Sequence, residues 1–168
     1  MSSNIQPIKY SAGFSGGYSN ENEYVFPEGS GQTFKAGAPL KFSSGTVVII
    51  SSVSAPTIAG IASNAATGTA GTASAPNCWV ALPANSVFEV SVDTTTTSGT
   101  AALGTGKPSD FSIGGTYELL LDSTSGNYYM GTGTGNPTFT LLGYDPSQNS
   151  VVNGRVYVRI LASQTAWT

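Results

Sequence analysis

Trp79–Val92, WVALPANSVFEVSV, is the stretch that decides the fold. It reads as two short strands broken by a turn at Leu82-Pro83-Ala84-Asn85. In the second half Phe88, Val90 and Val92 fall on one face, and Val87, Glu89 and Ser91 on the other. That period of two marks a half-buried strand. Glu89 is the only charge in the run, and an unpaired buried carboxylate is costly, so it needs water or a cation. Arg155–Leu161 alternates in the same way, with Val156, Val158 and Ile160 on one face and Arg155, Tyr157 and Arg159 on the other. The two stretches are expected to be central strands of one β core, with Glu89 pairing with Arg155 or Arg159 across it.

Outward from there the chain is punctuated by turns. Leu40–Phe42 and Thr46–Val53 read as strands around Ser43-Ser44-Gly45. Thr116–Leu121 and Asn127–Met130 read as a hairpin. Thr138–Leu142 is a further strand, and Asn153-Gly154 is a tight-turn pair leading into the last one. Residues 55–77 are almost wholly Ala, Thr, Gly and Ser and read as loop, with one possible helical turn over Ser63–Gly68. Residues 93–109 read as a polar excursion. The expected fold is all-β: a compact small barrel or sandwich of about eight short strands.

Residues 1–34 differ from the rest. They are rich in Gly, Ser and Asn, sustain no period, and carry Tyr10, Phe14, Tyr18, Tyr24 and Phe26. Glycines free the backbone and aromatic rings supply contact area. We read residues 1–34 as an extended N-terminal arm with those five aromatics as partner-binding anchors, and residues 35–168 as the β domain. A first strand at Tyr24–Phe26 is the other reading.

Composition narrows the function. Of 168 residues only 9% are charged, against roughly a quarter in ordinary soluble domains. A surface of Ser, Thr, Gly and Asn suits a protein packed into an assembly, or a small secreted β domain. Net charge is −3 and pI about 4.6. The six basic residues are scattered, which argues against nucleic-acid binding. The start, MSSNIQPIKY, has no apolar core, so no signal peptide is expected, and no apolar run is long enough to span a membrane. The single cysteine, Cys78, excludes an internal disulfide and reads as an inert buried thiol.

Histidine is absent, which removes the usual general base and the commonest neutral metal ligand. Asp93, Asp110 and Asp122 sit in loops or turns, where capping or solvation is their ordinary role. Gly104-Thr105-Gly106-Lys107 lacks the upstream glycine and the Ser or Thr of a phosphate loop. The expectation is a protein that is not an enzyme and has no cofactor or metal.

The phrases KAGAPLKF, IAGIASNAATG, WVALPANSVFEVSV, IGGTYELLLDSTSGNYYM and FTLLGYDPSQNSVVNGRVYVRIL, in that order, resemble the small head-decoration (cement) proteins of tailed bacteriophages. "ALPANSVFEV", a Gly-Thr-Tyr strand and "NGRVYVRI" are the most specific part. The resemblance implies a virion protein, made in the host cytoplasm and bound on the outer surface of an icosahedral capsid. There it would cement neighbouring major capsid protein subunits, often as a homotrimer. It carries over no catalytic residues. The alternative is a receptor- or carbohydrate-binding β module of a fibre or cell surface, using Tyr128, Tyr129 or Tyr144. A hydrolase with paired carboxylates is the third reading.

Overall fold

The structure is a computed structural model that describes residues 6–7, 23–51, 53, 56–68, 78–81, 86–94, 100–101, 104–122 and 125–166. The chain is all-β. Its strands are β1 (Gln6–Pro7), β2 (Glu23–Phe26), β3 (Pro39–Ser43), β4 (Thr46–Ile49), β5 (Gly60–Ala62), β6 (Cys78–Ala81) and β7 (Phe88–Ser91). They continue as β8 (Thr100–Ala101), β9 (Thr116–Tyr117), β10 (Leu119–Asp122), β11 (Tyr128–Met130), β12 (Phe139–Gly143) and β13 (Arg155–Ile160). That is more than the eight expected, because several strands are only two or three residues long.

Three sheets result. The first has the order β1-β7-β13-β12-β9, the second β2-β6-β5-β3-β4 and the third β11-β10-β8. None closes into a barrel, and of the two expected forms the arrangement is compatible with a small sandwich. The second sheet curls strongly. Glu28, just past β2 at one edge, bridges Val47 in β4 at the other, and the Val47 N–H donates to the Pro27 carbonyl at 2.8 Å.

The opening stretch joins two of these sheets. β6 lies in the second and β7 in the first, so the Leu82–Asn85 segment, itself outside the described residues, carries the chain from one to the other. β7 and β13 are antiparallel neighbours, with Tyr157 opposite Glu89 and Val158 opposite Phe88. Their alternation puts Phe88, Val90, Val156, Val158 and Ile160 on the buried side. Leu40, Val47 and Ile61 of the second sheet and Leu119, Tyr128 and Met130 of the third complete one continuous core.

Turn chemistry follows the sequence. Ser44 and Gly45 both have positive φ, 49° and 82°, the pair of left-handed residues that a two-residue hairpin with the sheet's own twist requires. The expected helical turn at Ser63–Gly68 is a set of bends instead, and residues 60–62, read as loop, form β5. Thr116–Leu121, read as one strand, breaks at Glu118: β9 belongs to the first sheet and β10 to the third.

Parts of the stretch read as an arm, residues 1–34, are strands of the sheets: Gln6–Pro7 pairs with β7. Glu23–Phe26 pairs along its length with Cys78–Ala81, and Phe34 is buried in the core. From Glu23 onward the chain is therefore part of the domain. Tyr10, Phe14, Tyr18 and the Cys78 side chain lie outside the described residues.

Candidate interaction surface and the carboxylates behind it

Among the described residues four carboxylates are buried: Glu28, Asp93, Glu118 and Asp122. A carboxylate removed from water must recover its hydrogen bonds. Here each is held by the backbone of a loop through at least one bond, while the Glu118 Oε2 is buried with no hydrogen-bond partner among the described residues. Glu28 accepts from the N–H groups of Thr67 and Gly68, both at 2.8 Å, and from the Thr67 hydroxyl at 3.1 Å. Asp93 accepts from the Gly104 N–H and Glu118 from the Asn136 N–H, each at 2.8 Å. Asp122 accepts from the Ser125 N–H at 3.1 Å and from the Ser125 hydroxyl. The loops so held are the Gly-, Ser- and Thr-rich segments that have little apolar surface of their own.

Glycine makes two of these attachments sterically possible. A Cβ at Gly133 would sit 2.4 Å from the Glu118 Oε2, and one at Gly106 would sit 2.4 Å from the Thr94 backbone nitrogen and 2.6 Å from Asp93 backbone atoms. Both loops lie closer to their carboxylate strands than any other residue allows.

Two consequences follow for the outside of the molecule. Much of the acidity in the sequence is internal, so the surface is less negative than the net charge suggests. The loops are also fixed platforms. Asp110 and Asp145 stay at the surface as caps of short 3-10 turns, Asp110 on the Lys107 N–H and Asp145 on the Ser147 N–H. The bonds from Ser147 hold the Asp145 carboxyl below its ordinary range.

Glu89 pairs with Arg155 across β7 and β13, both side chains about one-quarter exposed. Arg159, four residues along the same face, is exposed and opposite Thr140. Because the pair is partly in water its worth is small. A double-mutant cycle with Glu89→Ala and Arg155→Ala, read by denaturant unfolding, should give a coupling of about 0.5–1 kcal/mol. A coupling indistinguishable from zero would show that the contact only decorates the sheet.

Among the described residues, large apolar side chains reach solvent at Val151 and Val152 before β13 and in two further regions. In the first, Tyr24 is 52% exposed and Val25 41%, and exposed Phe42 meets half-buried Phe26 edge to face at 5.2 Å. In the second, Ile113 is 64% exposed on the turn whose Gly114 N–H bonds the Leu141 carbonyl, beside exposed Leu142. Of the expected anchors, then, Tyr24 is at the surface and Phe26 is half covered by Phe42. Sequence reasoning missed Phe42, Ile113 and Leu142. The signal at Ile113 was a lone large apolar residue in the turn Ser112-Ile113-Gly114-Gly115, where no strand can point it inward.

Tyr128 and Tyr129 are buried. The Tyr128 hydroxyl donates to the Ile50 carbonyl at 2.5 Å, and burial raises its pKa above the ordinary value. Neither ring presents a face on which a sugar could stack. Among the described residues no group of three or more His, Cys, Asp or Glu could hold a metal, and no helix is long and apolar enough to cross a membrane. No family model matches the chain, and no curated protein or solved structure matches it.

Proposed function

We propose that this chain is a structural virion protein that binds the outer surface of an icosahedral phage capsid and cements neighbouring major capsid protein subunits. The observation that carries the reading is the surface: poor in charge, built of carboxylate-pinned loops, and bearing Tyr24, Val25, Phe42 and Ile113 in the open. Exposed apolar groups on a fixed scaffold suit burial against a partner. The capsid is proposed as that partner on the phrase-by-phrase resemblance to decoration proteins. Stabilisation is mechanical: each copy buries surface on two or more shell subunits, so rupture of the shell must break those contacts as well.

In this reading residues 1–22 add anchors at Tyr10, Phe14 and Tyr18. Deletion must stop before Glu23, because β2 and Glu28 belong to the domain. Removing residues 2–20 should leave the β domain folded and weaken attachment to empty capsids about tenfold, or roughly 1.4 kcal/mol. Binding of the truncated protein as tight as that of the full chain would remove residues 2–20 from the attachment. Failure of the full chain to co-sediment with any phage shell would remove the cementing role itself.

A further inference from the structure

We propose that β1 is an exchangeable strand, and that in the oligomer it pairs with β7 of a second copy of this chain. The inference does not depend on the capsid reading. It starts from the order β1-β7-β13-β12-β9, in which β1 is the strand, among the described residues, that lies on the outer edge of β7; just past its end Val92 bridges Met130. Without it the outward N–H and C=O groups of Phe88–Ser91 would form an open edge, a template for strand addition. The covering ladder is minimal: Gln6 lies opposite Glu89 and Pro7 opposite Phe88.

A ladder of two residues makes few hydrogen bonds, each worth about 0.5–1.5 kcal/mol net. Ordering the segment costs about 1–2 kcal/mol per residue. Within one chain the pairing is therefore close to balance. The chain between β1 and β2, residues 8–22, is roughly 15 residues and can extend to about 50 Å, so its length does not select its own β7 over a neighbour's. A chain's own strand competes at an effective concentration of about millimolar. Copies held side by side in an oligomer supply a comparable concentration.

The geometry also limits the product. Each chain carries one donor, β1, and one acceptor, the β7 edge. Exchange between copies closes either reciprocally, as a two-fold dimer, or head-to-tail, as a ring where the rotation closes. Pro7 cannot donate a backbone hydrogen bond, which hinders further strands from adding outside β1. A closed dimer or a small ring, such as the trimer expected from the sequence, leaves every β7 edge in the oligomer paired with a β1.

The Gln6–Glu89 register gives a direct test. Directly opposite residues of an antiparallel pair have Cα atoms about 4.5–5.5 Å apart, within the range that a disulfide bridges. Two full-length chains are made, Gln6→Cys and Glu89→Cys, each with Cys78→Ser, and mixed in equal amounts before mild oxidation. Each has a single cysteine, so every link joins two copies. Exchange predicts the mixed Gln6→Cys to Glu89→Cys link in about tenfold excess over either homodimer, the effect of roughly 1.4 kcal/mol of register preference. A second measurement covers the loss of the Glu89–Arg155 pair: native mass spectrometry of the otherwise unchanged chain, with and without residues 2–8. Exchange predicts oligomers that disappear on the deletion. A mixed link no more frequent than the homodimers, or oligomers indifferent to the deletion, overturns the proposal.

Discussion

Phe88→Ala will destabilise the protein by about 3–5 kcal/mol, the usual cost of emptying a buried phenylalanine site. Phe88 is fully buried in β7, opposite Val158 of β13, at the point where the first sheet meets the shared core. The cost has two parts: the lost transfer free energy of the ring, and the cavity left because neighbours in a close-packed sheet relax only in part. Against a total stability of about 5–15 kcal/mol this is a large fraction. For a chain of this size each kcal/mol shifts the midpoint by about 2–4 °C, so the melting temperature should fall by roughly 6–20 °C. Val87→Ala, at a half-buried position next in sequence, is the control and should cost about 1 kcal/mol or less. Thermal and denaturant unfolding measure both. A loss below about 1 kcal/mol for Phe88→Ala would mean that β7 does not carry the core.

That prediction could have been written from sequence, and its reason is simple. β7 and β13 each bury one face only, so their side chains alternate, and alternation is visible in the letters. The same two strands announced their ion pair, because Glu89 and Arg155 stood on the non-apolar faces. β5 was invisible for the opposite reason. Gly60, Ile61 and Ala62 are all buried, so no alternation exists, and only Ile61 is large. The break at Glu118 was also hidden. Thr116–Leu121 reads as one strand, yet the buried charge in its middle marks where the chain leaves the first sheet for the third. Tyr24 and Phe26 read as anchors of a free arm because an aromatic strand edge and an aromatic anchor have the same composition. Only the pairing with Cys78–Ala81 separates them. Asp122 caps its own turn at Ser125, the ordinary role expected of it, but the longer-range carboxylate pins were beyond reach. Their partners are backbone N–H groups, which every residue except proline has, and they lie 11 residues away for Asp93 and 40 away for Glu28 and Gly68.

Those pins carry the second large effect. Glu28→Ala should cost about 2–4 kcal/mol, because it removes charge-assisted bonds worth about 1.5–3 kcal/mol each while sparing the desolvation of a buried carboxylate. Glu28 is fully buried, bridges Val47 at the seam of the curled second sheet, and holds Thr67 and Gly68. Gly68 in turn accepts from the Gly31 N–H at 3.2 Å, so the loop ties back to the segment that follows β2. Glu28→Gln keeps the shape, but its amide NH2 faces a loop N–H where an oxygen is needed, and it should recover only part of the loss. The mechanism is local, so its reporter is local too. Hydrogen exchange at the Thr67 and Gly68 amides should accelerate in both variants, while the Leu141 amide, bonded to the Gly115 carbonyl in the first sheet, changes only as far as global stability does. Unchanged protection at Thr67 and Gly68 in a destabilised Glu28→Ala would show that the carboxylate stabilises the seam and not the loop. The interaction surface would then lack the fixed platform that a partner needs, since a loop that must be ordered on binding gives back part of the contact free energy as entropy.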